Sequence, residues 1–478
     1  MKTTIFKLLI AVCSLYGNTD YARKEKVLVV KQQDIFASTQ IIAFNPILNE
    51  SIDIRTQYFM YLKRLIRFVR WDKRKYTKAQ IDFYKSKLCD DQEPKKEAMT
   101  YSFDSRFCYL LPYDLAIMLG FHPKVTKSEK TKIIVDKIIT DFSLPQEHSA
   151  FLLKAFDAAL GNQMAWDEIL NSKQSRGFKK YLNIVRKNIS FVTKKPYNIL
   201  ITATMSAGKS TLINSLVGKN ITLMQNMACT SKIHTIISKP MEDGVTSEYD
   251  HDLSLDASRE DLLTDNDDNK SSKITVGTYF NSELAGERII LFDSPGVNSS
   301  ENIEHTEISH QIIKSRRYQL MLYVLNATQL GTTDEEQHLG IVKERLGRAK
   351  IVFIMNKADQ LISEDDSYLD SIEGQRKFLI SKGFKNPIIC PVSSRAAYLV
   401  KKSKQETLSR LERREIESYM DKFEQHSLSE YYTKQLKCPA ITADNETDAL
   451  FANCGFAYLE KIIANIHDGG KIYGSSIR

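Results

Sequence analysis

The run Ala203-Thr204-Met205-Ser206-Ala207-Gly208-Lys209-Ser210 is a short loop of small residues that ends in a lysine and a hydroxyl. It follows Tyr197-Asn198-Ile199-Leu200-Ile201-Thr202, an apolar run of strand length, and precedes Thr211-Leu212-Ile213-Asn214-Ser215-Leu216-Val217, which has helical character. Strand, tight loop and helix together make a phosphate-binding loop. Backbone N–H groups at the start of a helix are unsatisfied and carry partial positive charge, so they converge on a polyphosphate. Ala207, Gly208 and Thr211 would line it with amides, Lys209 would reach the β- and γ-phosphates, and the Ser210 hydroxyl would be a ligand of Mg²⁺. The usual first glycine of the motif is Ala203 here, a difference of one methyl group.

Three further motifs follow in order, each at the end of an apolar run. Glu287-Arg288-Ile289-Ile290-Leu291-Phe292-Asp293-Ser294-Pro295-Gly296 ends in Asp-x-x-Gly, which places Asp293 on the Mg²⁺ side and the Gly296 N–H beside a third phosphate. Lys350-Ile351-Val352-Phe353-Ile354-Met355-Asn356-Lys357-Ala358-Asp359 ends in Asn-Lys-x-Asp. A carboxylate at Asp359 can accept from both N1–H and the 2-amino group of guanine, whereas adenine lacks that donor pair and would leave the carboxylate unpaired. Asn356 would brace the loops and the Lys357 stem would lie along the base. The last run, Pro387-Ile388-Ile389-Cys390-Pro391-Val392, leads into Ser393-Ser394-Arg395, where a backbone N–H, that of Ser394, is expected to donate to guanine O6. The set predicts GTP and GDP as ligands with Mg²⁺.

Beyond this chemistry, the sequence resembles the dynamin family of P-loop GTPases, above all its bacterial members. The resemblance is carried by Ser206-Ala207-Gly208-Lys209-Ser210-Thr211-Leu212-Ile213-Asn214-Ser215-Leu216, by Ala228-Cys229-Thr230 in the place of the first switch, and by Asp293-Ser294-Pro295-Gly296-Val297-Asn298-Ser299 in the place of the second; it runs from about residue 180 to 478. It implies hydrolysis of GTP with Ser206, Lys209 and Thr230 in catalytic roles and Ser210, Thr230 and Asp293 around the metal. Val297 stands where Ras-like proteins carry the glutamine that orients water, and Met205 where eukaryotic dynamins carry theirs. The attacking water would therefore be held by Ser206, Thr230 and backbone groups, assembled as a homodimer closes through its G domains, and basal turnover would be slow. An anionic membrane surface is a further partner the family suggests, and nucleic acid is not expected. The alternative is a regulatory or ribosome-associated switch without membrane remodelling; a third reading is a GTP-binding interaction module with incidental hydrolysis.

These residues need a scaffold that brings four strand ends to one edge. The expected fold class is α/β: a P-loop NTPase G domain with a mostly parallel sheet flanked by helices, over residues 181–478, preceded by a mainly helical N-terminal domain over 1–180. At 478 residues the chain exceeds a single G domain, and 42% hydrophobic with 26% charged residues is an ordinary globular composition. The formal charge of +8 permits anionic partners without requiring them. Cys13, Cys89, Cys108, Cys229, Cys390, Cys438 and Cys454 form no Cys-x-x-Cys pair and read as reduced thiols, so the expected location is cytoplasmic, with peripheral attachment to a membrane allowed. No run approaches the roughly 20 apolar residues of a membrane span.

Met1–Gly17 has the basic start and short apolar run of a secretory signal, but the use of GTP favours an element packed into the N-terminal domain. Tyr58–Tyr76 reads as a single amphipathic basic helix, and Leu115–Leu119, Ile133–Phe142 and Ala150–Leu160 read as further helices, one starting at Leu144-Pro145-Gln146-Glu147 with the proline in its first turn. Glu93–Glu97 reads as a loop. Within the G domain, residues 241–270 carry eleven acidic residues against Arg259 and Lys270, and most of the stretch is expected to be a mobile loop. Residues 400–437 form a helical insertion, with Thr407–Ile416 a surface helix, and Gly455–Ile463 resembles the last helix of the family's G domain. The short remainder leaves no room for a long C-terminal stalk, so membrane fission is not inferred unless the sequence is truncated or the N-terminal region replaces the stalk.

Overall fold

The apolar runs that end in the four motifs are strands of one sheet, with one further strand between the second pair and the first. A computed structural model describes residues 35–90, 101, 103–120, 129–222, 233–262, 273–294, 303–315, 317–361 and 368–470. The chain divides into two compact units, Met1–Lys194 and Lys195–Arg478. The expected boundary at 180/181 lies inside a helix of the first unit. That helix belongs there because Asn188 accepts from the Thr39 N–H at 2.9 Å and donates to the Thr39 carbonyl at 3.2 Å, tying it to the start of the described chain.

The first unit is helical: α1 Ile52–Phe68, α2 Lys75–Cys89, α3 Leu111–Met118, α4 Glu129–Asp141, α5 His148–Ala159, α6 Gln163–Asn171 and α7 Lys179–Thr193. The basic stretch expected as one helix is two. Arg70 takes the left-handed conformation (φ 60°), and the Arg70 and Trp71 N–H groups donate to Arg67 and Ile66 carbonyls, closing α1 in a Schellman turn. Trp71 is buried, with the Arg74 guanidinium 3.7 Å over its ring, and does not face outward. Pro145 sits in a turn ahead of α5 and not in its first helical turn. At the centre lies Asp114 of α3, fully buried. Its Oδ2 accepts from Tyr58 at 2.6 Å and Asn45 at 2.9 Å, and its Oδ1 from Tyr84 at 3.0 Å and Tyr181 at 3.4 Å, which joins α1, α2, α3 and α7 through one carboxylate. Burial raises its pKa to about 6, partly offset by these donors.

The second unit contains strands β1 Tyr197–Ala203, β2 Ile233–Lys239, β3 Ser247–Tyr249, β4 Leu253–Ser254, β5 Lys273–Tyr279, β6 Ile289–Asp293, β7 Leu320–Asn326, β8 Lys350–Asn356 and β9 Ile389–Val392, in the order β4-β3-β5-β2-β6-β1-β7-β8-β9. From β6 to β9 every pairing is parallel, and β2 runs antiparallel to β6. The central strands are buried on both faces, which explains why β7 reads as an unbroken apolar run. Its helices are α8 Lys209–Val217, α9 Ile303–Ser315, α10 Thr333–Arg345, α11 Tyr368–Ser381, α12 Ser394–Ser403, α13 Arg410–Gln425, α14 Ser429–Lys434, α15 Glu446–Asn453 and α16 Phe456–His467. This is the expected α/β class with a mostly parallel sheet. Register places Ile201 beside Asp293, and Asn326, Asn356 and Val392 in one row, so the motif-bearing strand ends share an edge.

The acidic stretch departs from expectation. Residues 247–254 extend the sheet edge as the β3–β4 pair, and Ala257 and Leu262 pack with Ile274 and Val276. Val245, Leu255, Ala257 and Leu262 are buried, and one acid is neutralised: the buried Lys239 ammonium donates to both oxygens of Asp243, at 3.1 and 2.9 Å. Residues 263–270 lie outside the described residues, as do Met1–Gly17 and Glu93–Glu97. The 400–437 insertion is helical, and α13 starts at Arg410, later than expected, because Ser409 caps it in a reciprocal box with Glu412. Gly455 begins α16 with φ 81°, and a Cβ there would lie 2.3 Å from the Pro391 carbonyl, so glycine is required on both counts. Among the described residues no helix is long and apolar enough to cross a membrane.

Candidate nucleotide site

The loop between β1 and α8 turns through two left-handed residues, Ser206 (φ 59°) and Gly208 (φ 81°), and points the first turn of α8 back along the sheet edge. Ser206 is exposed at its tip and Ala207 is buried beneath it. A Cβ on Gly208 would stand 2.3 Å from Asn356 Nδ2, so the second constraint on this glycine comes from β8. Lys209 heads the helix, is 8% exposed, and its ammonium is paired with Asp293 Oδ1 at the end of β6. Ser210 and Thr211 follow, both partly buried in the first turn. Lys209 and Asp293, named separately from sequence, are thus in direct contact.

Asn356 joins three loops. Its Nδ2 donates to the Ala207 carbonyl at 2.9 Å and the Gly208 carbonyl at 3.3 Å, while its Oδ1 accepts from the Ser394 N–H at 3.1 Å. This corrects one expectation: the Ser394 amide is engaged by Asn356 and is not presented to a base. The next amide, that of Arg395, stands in the first turn of α12. Ser393 caps α12 through its side chain, and the Ser394 carbonyl accepts from Ser215 Oγ at 2.7 Å, which fastens α8 to this loop. Lys357 is left-handed (φ 62°), which turns the chain so that Asp359 sits in the short 3₁₀ turn Ala358–Gln360. Asp359 is largely buried, and its backbone carbonyl accepts from Lys422 of α13 at 3.0 Å.

The site fits a divalent cation on one specific ground. Asp293 is fully buried, and its Oδ2 has no hydrogen-bond partner among the described residues. A buried carboxylate oxygen left this way is costly unless a cation or its water shell meets it. Among the described residues no group of three His, Cys, Asp or Glu side chains could hold a metal alone. A magnesium ion here would draw most ligands from phosphate and water, as is usual for this hard cation. Thr230 and Gly296, expected at the two switches, lie outside the described residues, as does Cys229.

One polar cluster had no sequence signal. Ser294, next to Asp293, donates through N–H and Oγ to the Ile201 carbonyl at 3.2 Å, and its Oγ lies 3.2 Å from Thr202 Oγ1. Thr202 in turn meets His338 Nε2 of α10 at 3.0 Å. Burial pushes the His338 pKa down to about 3, so the ring is neutral. The cluster ties the end of β6 to β1. A buried histidine on a charged helix offers no local pattern by which sequence could reveal it.

Residues 199–358 match the sequence model of the dynamin family. Dynamin-like protein A of Bacillus subtilis is 32% identical over 122 residues, which cover 25% of this chain and 10% of that protein. An uncharacterized protein in the xynA 3' region of a Caldicellulosiruptor species is 26% identical over 253 residues, 50% of this chain and 59% of the relative. The chain therefore spans less than two thirds of either curated relative. Among solved structures, an oligomerised bacterial dynamin pair overlaps with a TM-score of 0.36 at 15% identity, over 87% of this chain and 60% of that one. With the phosphate loop, Asp293 and the Asn-Lys-x-Asp loop on one sheet edge, residues 199–358 are similar to the GTPase domain of the dynamin family.

Proposed function

We propose that the protein binds GTP with Mg²⁺ and hydrolyses it to GDP and phosphate, working as a nucleotide-dependent switch that dimerises through its G domains. The observation that carries this reading is Asn356, which ties the phosphate loop to the base-side loop while Asp359 stands in the next turn. Asp359 would select guanine through its N1–H and 2-amino donors. Ser210 and Asp293 would hold the metal, with Thr230 as the third group from the first switch. When bound, Mg²⁺ would neutralise charge on the β- and γ-phosphate oxygens. Lys209 would leave Asp293 for the phosphates. Water would then attack the γ-phosphorus as the bond to the β–γ bridging oxygen breaks, the electron pair leaving with GDP and the proton of the water passing to a phosphate oxygen.

With valine after Gly296 and methionine at 205, Ser206, Thr230 and backbone groups would position that water, which favours slow turnover until a second G domain closes the site. The test is phosphate release per molecule from GTP and from ATP over a wide range of protein concentration, with and without anionic liposomes. Turnover of GTP alone, with specific activity rising as concentration rises, is expected. Equal turnover of ATP would overturn the base assignment, and a concentration-independent rate would overturn the dimer.

A further inference from the structure

Helix α13 reads in sequence as a charged surface helix, yet one of its faces holds both loops of the base-binding end. We infer that α13 is the positioning element for guanine recognition, acting through Glu415 and Lys422; this rests on the assignment of Asp359 to the base. Glu415, Tyr419 and Lys422 are spaced by four and three residues, so they stand on one face. Glu415 accepts both ends of the Arg395 guanidinium, Nε at 2.9 Å and Nη2 at 2.7 Å, a bidentate grip on the first turn of α12, just past β9. Lys422 donates to the Asp359 carbonyl at 3.0 Å, a grip on the loop after β8. Tyr419 lies between them, its phenol pKa raised by burial and then by the Asp359 and Glu415 charges.

The rest of the helix is fixed so that this face can act as a ruler. Ile416 and Phe423 are buried beneath it. In the first turn Glu412 accepts from Lys402 of α12 at 2.7 Å, and that bond holds the Glu412 carboxyl down at about 2. Asn356 sets the distance between the same two loops on the phosphate side, and α13 sets it on the base side. A guanine ring meeting Asp359 with its N1–H and 2-amino edge and the Arg395 amide with O6 needs both loops at one separation. A displacement of even one ångström loses much of such an interaction.

The test uses the full chain and steady-state phosphate release from GTP and from ITP, whose base lacks the 2-amino donor. Lys422→Met should raise KM for GTP about tenfold, leave kcat within about twofold, and narrow the preference for GTP over ITP several-fold. Lys422→Arg, which can still reach the carbonyl, should restore most of both. Glu415→Gln should reproduce the effect from the other loop and keeps the test available if Lys422→Met fails to fold. Wild-type KM and wild-type GTP/ITP preference in both variants would overturn the proposal. So would a loss of kcat and thermal stability with the GTP/ITP preference intact, the mark of a merely structural helix. Failure of the guanine assignment would show separately, as a wild-type protein that does not distinguish GTP from ITP and ATP.

Discussion

Each unit of this chain contains a fully buried aspartate, and the two are treated in opposite ways. Asp114 in the helical unit has both oxygens engaged by two donors each, all from within the unit. Asp293 in the nucleotide unit shares one oxygen with Lys209 and leaves the other without a partner among the described residues. A satisfied buried charge organises a scaffold; one left half-satisfied marks a place where something else is meant to bind. The same contrast separates Asn188, whose amide is spent on the backbone of residue 39, from Asn356, whose amide is spent on loops that face a ligand.

Substitutions should break this contrast in order of size. Lys209→Ala should lower affinity for GTP by roughly 100-fold or more, because the charged donor to the phosphates is gone; calorimetric titration reads this directly. Asp293→Asn should cost a similar loss of Mg²⁺-dependent affinity yet change unfolding free energy by no more than about 1 kcal/mol, since one of its oxygens is unsatisfied already. Asp114→Ala should do the reverse: three phenols and an amide lose their acceptor, and denaturant unfolding should show a loss of about 2–4 kcal/mol with GTP affinity unchanged.

A smaller, pH-dependent effect sharpens the comparison. The folded helical unit raises the Asp114 pKa to about 6, so folding favours the protonated acid. The resulting stability is fully present below the unfolded value near 4 and is lost as pH rises through about 6, by an amount on the order of 3 kcal/mol. Asp114→Asn should flatten that slope between pH 4 and 7 in unfolding curves. Smallest of all, Ser409→Ala should remove the capping box of α13 at a cost of about 1 kcal/mol to the nucleotide unit.

How much of this was legible in sequence follows from the range over which each feature is encoded. The phosphate loop, Asp293 and Asp359 stand out in sequence as candidates because each motif is a few residues long and attached to an apolar strand, and the α/β class follows from those strands alternating with helices. Arg70 was missed as a helix stop because its left-handed turn is made by an ordinary residue and not a glycine. The acidic stretch was misread because average composition hid Ala257 and Leu262, which pack. The Ser394 amide was assigned to the base because the reach of the Asn356 side chain is a tertiary fact. Asp114 was invisible: its partners Asn45, Tyr58, Tyr84 and Tyr181 are scattered along the first unit.

The central claim is that Asp359 reads guanine at a site assembled from these strand ends. It is tested most directly by measuring the affinities of wild-type protein and Asp359→Asn for GTP, XTP and ATP. The wild type should prefer GTP and the variant should exchange this for XTP, each preference roughly 100-fold, because the xanthine 2-carbonyl needs the donor that asparagine supplies. Unchanged GTP preference in the variant would contradict it.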